Sequence, residues 1–114
     1  MSSRQIAQEI VQLRANLCSA LSDPNRLLIL YELAEKPRNV SELVSSLKIS
    51  QPAVSRSLKK LRDQWLVEAV RDGSNVIYHL TDKRLIEALD LVHAILRDRM
   101  VKQAKLLEDS ETTK

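Results

Sequence analysis

The chain has 114 residues, 18 Lys and Arg against 15 Asp and Glu, and a formal net charge of +3. A single Cys excludes an internally disulfide-stapled secreted fold, and one Gly and three Pro leave few tight turns, which points to one mainly helical domain. With no apolar run of about 18 residues and no signal-peptide-like start, a cytoplasmic location is expected.

Ile6, Ile10, Leu13, Leu17 and Leu21 recur every three or four residues, as on one face of an amphipathic helix. Ser22-Asp23-Pro24 interrupts this stripe, with Asp23 suited to a cap and Pro24 to a first helical position. The second helix carries Leu27, Leu30, Tyr31 and Ala34 and ends near Lys36, because Pro37 follows. Asn39 and Glu42 form a capping box that opens a short third helix, with Leu43 and Leu47 facing the core. After a brief turn at Lys48-Ile49, Ser50 caps a fourth helix with Gln51 and Pro52 in its first turn. Val54, Leu58 and Leu61 are its apolar stripe, so Gln51, Ser55, Arg56, Ser57, Lys59, Lys60 and Arg62 are expected to point outward.

The period then changes. Residues 66–71 and 76–80 are β-type runs around Asp72-Gly73-Ser74-Asn75, with Gly73 where a hairpin turn needs positive φ. Thr81 or Asp82 starts a long last helix with Leu85, Leu89, Val92, Leu96 and Met100 on one side. The domain is expected to span residues 1–108, followed by a polar, disordered tail at 109–114.

The fold class is mainly α with a two-stranded β-hairpin: helix, helix, short helix, turn, helix, hairpin, long helix. This is the order of a winged helix-turn-helix. Basic residues on a helix usually form just a solvated face. Here they are joined by Ser and Gln, preceded by a short capped helix and followed by a β-ribbon, and that combination favours duplex DNA as partner. Ser50, Gln51, Ser55 and Ser57 then suit base edges or phosphates, and Arg56 suits a bidentate contact to guanine. Lys59, Lys60 and Arg62 lie further from the helix start and suit phosphates, as does Arg71 near the hairpin tip. The alternative is a winged-helix module that binds protein, without salt-sensitive affinity for duplex. His79 and His93 have no nucleophile arranged beside them, so no enzyme is expected.

Leu21-Ser22-Asp23-Pro24-Asn25-Arg26-Leu27-Leu28-Ile29-Leu30 resembles the second-helix signature of the ArsR/SmtB regulators, L-x-D-P-x-R-L-x-I-L. Residues 50–62 resemble their recognition helix, and Asp72-Gly73 with residues 76–80 their wing. The resemblance implies a homodimer paired through the first and last helices, repressing at an inverted-repeat operator and released by an effector. Both terminal helices carry apolar surfaces too broad for one small domain to cover, and about 800 Å² buried per subunit makes an ordinary interface. Two departures stand out. Ser57 replaces a frequent His, and Gln64-Trp65 replaces a usual Ala-Gly. Glycine tolerates a left-handed helix cap and Trp does so poorly, so Trp65 is expected in the core or the dimer seam, with an altered exit from the helix.

The resemblance also bears on sensing. Family members often bind metal through Cys pairs on the third helix or Asp and His on the last. Residues 40–47 contain no thiol, and Asp90 and His93 are two ligands, too few for tetrahedral zinc unless a second subunit supplies two more. The expectation is no metal or other cofactor. Cys18 is expected as a small buried hydrophobe, with a redox role only if it is exposed and its thiolate stabilised.

Overall fold

The computed structural model describes residues 2–112. They form α1 (Ser3–Ala20), α2 (Pro24–Glu35), α3 (Val40–Leu47), α4 (Gln51–Asp63), β1 (Val67–Asp72), β2 (Asn75–Leu80) and α5 (Arg84–Thr112). The chain divides into two compact units, the first ending at Asp82 and the second, which contains α5, beginning at Lys83.

Side-chain caps fix the helix boundaries of the first unit. The Asp23 carboxylate accepts from the Arg26 N–H at 3.1 Å, and Pro24 occupies the first turn of α2. The Arg26 side chain reaches back over the end of α1, donating from Nε to the Ala20 carbonyl and from Nη2 to the Ser19 carbonyl at 3.0 Å. It thereby satisfies acceptors that a helix C-terminus leaves open. Asp23→Ala is therefore expected to lower stability by about 0.5–2 kcal/mol, measured by urea unfolding at fixed protein concentration. An unchanged midpoint would show that the cap contributes nothing.

In α3, Asn39 Oδ1 accepts from the Glu42 N–H at 2.8 Å, and Glu42 Oε1 accepts from the Asn39 N–H at 3.0 Å. The helix stops at Lys48, whose left-handed backbone (φ 56°) turns the chain toward Ser50. Ser50 Oγ accepts from the Ala53 N–H at 3.3 Å and opens α4. Ile29, Leu30 and Leu33 of α2, Leu43 of α3, Val54, Leu58 and Leu61 of α4 and Val67 of β1 fill the core.

The hairpin has the register Val67↔Leu80 through Asp72↔Asn75, leaving Gly73 and Ser74 as a two-residue turn. Gly73 has φ +64°, and a Cβ added there would meet nothing within 4 Å, so the requirement for glycine is conformational. β2 is also bonded on its other edge. The Arg38 N–H donates to the Tyr78 carbonyl at 3.0 Å, and the Tyr78 N–H donates to the Arg38 carbonyl at 2.8 Å. The Arg38 guanidinium meets Glu32 at 3.0 Å and Glu35 at 2.9 Å, tying this bridge to the end of α2.

Two expectations need correction. Residues 109–112 continue α5 instead of forming an irregular tail, because the stretch before them contains Lys, Gln, Ala, Leu and Glu and no helix breaker. Polarity there removes a reason for burial, not the helix; residues 113–114 lie outside the described residues. Cys18 is exposed, since α1 buries only Ala20 and leaves Ile6, Ile10 and Leu13 in solvent.

Candidate nucleic-acid interface

The first unit holds α4 by one face and presents the other. Successive helical residues turn by about 100°, so Val54, Leu58 and Leu61 share a buried face. Ser55, Arg56, Lys59 and Arg62 are exposed away from it, and Gln51, above the buried stripe, is exposed because it lies in the first turn. Ser50, at the cap, is also exposed. Ser57 departs from expectation: it is buried, with 6% exposure, at the edge of the apolar stripe. It follows Val54 by three residues and precedes Leu61 by four, and its small side chain fits the seam. Lys60 is exposed but lies on the flank of α4 toward the end of α1, where it lines a hollow with Asn16, Ser19, Ala20, Arg26 and Gln64. The expected basic patch is thus split, with Lys59 and Arg62 on one flank and Lys60 on the other.

α3 is secured against α2 by a hydrogen bond from the Ser46 hydroxyl to Glu32 Oε1. The connection from α3 to α4 is Lys48-Ile49-Ser50, the short turn that a helix-turn-helix needs. At the wing, Arg71 is exposed opposite Val76, one position from the end of β1. Glu68 Oε2 faces His79 Nε2 across the hairpin at 3.5 Å.

The end of α4 corrects two parts of the expectation for Trp65, its place in the core and the altered exit from the helix. Trp65 keeps the left-handed backbone (φ 59°) that glycine would take, and its side chain is 80% exposed. The Trp65 N–H donates to the Arg62 carbonyl at 2.9 Å and the Leu66 N–H to the Leu61 carbonyl at 3.0 Å, the paired bonds of a Schellman cap. Thr81 fastens the same turn, its hydroxyl donating to the Trp65 carbonyl at 2.6 Å and its N–H to the Leu66 carbonyl at 3.1 Å. The exit from α4 is that of a glycine cap, with the indole left outside.

Residues 23–69, from the Asp23 cap to the middle of β1, match the family model for bacterial regulatory proteins of the arsR family. A transcriptional repressor SmtB homolog of Synechocystis is 39% identical over 88 residues, 73% of this chain and 67% of that protein. The chain belongs to the ArsR/SmtB family of transcriptional regulators. Among solved structures, NolR from Sinorhizobium fredii superposes with a TM-score of 0.71 at 32% identity, covering 83% of this chain and 93% of NolR. A homodimeric winged helix-turn-helix DNA-binding domain from Mycobacterium bovis gives 0.74 at 26% identity, covering 88% and 91%. The matched stretch spans between 58% and 67% of the length of the SmtB-type relatives.

ArsR/SmtB proteins are regulators and not enzymes. In the family signature here Asp23 caps the start of α2, and the Arg26 side chain joins α2 to the end of α1. Asp90 and His93 stand three residues apart on α5, and among the described residues no group of three or more His, Cys, Asp or Glu is placed to hold a metal ion. No helix among the described residues is long and apolar enough to cross a membrane.

Proposed function

We propose that this chain is a cytoplasmic, homodimeric repressor that reads an inverted-repeat operator through α4 and is released from it by an effector. The observation that carries the reading is the outward face of α4, where Gln51, Ser55, Arg56, Lys59 and Arg62 are exposed on a helix seated by three fully buried apolar residues. The unneutralised start of α4, with no acid in its first turn, adds a favourable field for phosphate. Ser50, Gln51 and Ser55 sit where a recognition helix meets base edges, and Arg56 presents a guanidinium that matches guanine. Ser57 is withdrawn from the contact set by its burial, and Lys60 has the weakest claim because of its flank.

Pairing through the terminal helices rests on their exposed apolar residues. These include Ile6, Ile10 and Leu13 on α1, and Leu96, Met100 and Leu107 on α5. A two-fold dimer sets its two recognition helices about one DNA turn apart, roughly 10 base pairs. The test is selection of bound duplexes from a random pool. An inverted repeat with that spacing is expected, and winners without symmetry, or none above background, would sink the reading and favour a protein partner.

Lys59→Ala is expected to weaken selected and random duplexes alike and to reduce the slope of log affinity against log salt by about one. Fluorescence anisotropy across a salt series measures it. A loss confined to the selected site would contradict a phosphate contact.

A further inference from the structure

Arg38 lies in the connection between α2 and α3, yet its side chain is only 13% exposed. Its Nη2 meets Glu32 Oε1 at 3.0 Å and Glu35 Oε2 at 2.9 Å, both on α2. The same Glu32 oxygen accepts from the Ser46 hydroxyl of α3. Arg38 Nε is buried, and among the described residues it has no hydrogen-bond partner. A buried donor left in that state costs stability. The main chain of Arg38 makes the bridge to Tyr78 without help from the guanidinium, so the bridge alone does not account for a buried arginine here.

The position of the bridge on the hairpin does. Tyr78 pairs with Ala69, and the pairs beyond it are Val70↔Ile77, Arg71↔Val76 and Asp72↔Asn75. Residues 70–75 are all exposed, and among the described residues no main-chain bond from outside the hairpin reaches it beyond Tyr78. The bridge is thus the outermost anchor, and the tip carrying Arg71 projects from it. On their own, the main-chain bonds tie β2 only to a connecting loop. The guanidinium ties that loop to α2 and, through Glu32 and Ser46, to α3. One buried charged node therefore sets how the tip leaves the two helices that seat α4.

We propose that Arg38 is a positioning residue for DNA binding, holding the wing tip so that Arg71 meets a phosphate while α4 reads bases, without touching DNA itself. The inference rests on the DNA-binding reading above.

The experiment uses the full chain and the selected duplex across a salt series. Arg71→Ala is expected to reduce the slope of log affinity against log salt by about one, as Lys59→Ala does. Arg38→Gln is expected to give the same fall, with no further fall when Arg71→Ala is added. Lys59→Ala is expected to keep its full effect in the Arg38→Gln background, because α4 keeps its seat. In the free protein, the Tyr78 N–H of Arg38→Gln is expected to exchange with solvent about tenfold faster, the equivalent of losing one hydrogen bond to a charged group. Should Arg38→Gln fail to fold, Glu35→Gln, which alters an exposed carboxylate, is put through the same comparisons. The proposal is overturned by an unchanged slope, by unchanged exchange at Tyr78, or by an inert Arg71→Ala. It is also overturned if the Arg38 and Arg71 effects add to about two, which would make Arg38 a phosphate contact, or if the Lys59 effect is lost as well, which would mean a general loss of structure. Failure of the parent to bind the duplex would remove the DNA-binding reading itself.

Discussion

Leu61→Ala is expected to remove about 2–5 kcal/mol of folding stability, lowering the melting temperature by roughly 10–20 °C. Leu61 has 0% exposure, and its carbonyl also accepts the Leu66 N–H that closes the end of α4. Alanine keeps the helix but leaves a cavity among the core residues of α2, α3 and α4. A domain of this size has about 5–15 kcal/mol of stability in total, so the loss is a large share of it. DNA affinity is expected to fall with the folded fraction, because the seat of the recognition helix goes with the core. Melts followed by helical circular dichroism check this, at one protein concentration because dimerisation is linked to folding. A melting temperature within a degree or two of the parent would show that Leu61 does not anchor α4.

Arg56→Ala is expected to do the opposite: leave the melt unchanged and lower affinity for the selected operator by about 1–3 kcal/mol, or about 5–150-fold. Arg56 is exposed on the outward face, and no ion pair to another described residue engages it. Its guanidinium is therefore available for a bidentate contact, which discriminates guanine from the other bases. Binding measured on the operator and on a scrambled duplex separates base reading from charge. Equal losses on both would assign Arg56 to the backbone.

Local signals made most of this fold legible in the sequence. Asp23, Asn39 and Ser50 act within one helical turn of their own positions, so their caps could be read directly from residue order. The stripe Val54, Leu58, Leu61 and the turn at Gly73 obey fixed periods and a fixed φ requirement. The polarity of Ser57 argues for an outward place, but its spacing from Val54 and Leu61 puts it on the buried side of the helix. The Arg38–Tyr78 bridge joins residues 40 positions apart and has no alternating pattern to announce it. The turn at Trp65 is hidden for a different reason. The composition of a turn argues about cost, whereas here the bonds from Leu66, Trp65 and Thr81 hold the backbone whatever side chain it carries.

The two bonds from Arg26 to the end of α1 have a mechanical consequence. The guanidinium spans the joint, while the Asp23 cap holds the first turn of α2 from which it reaches, so the two helices share hydrogen bonds as well as a chain. A load on α1 thereby has a hydrogen-bonded route to α2, whose Ile29, Leu30 and Leu33 are core residues along with Val54, Leu58 and Leu61 of α4. Arg26→Ala would break that route while leaving the Asp23 cap, which uses the main-chain N–H of residue 26, in place.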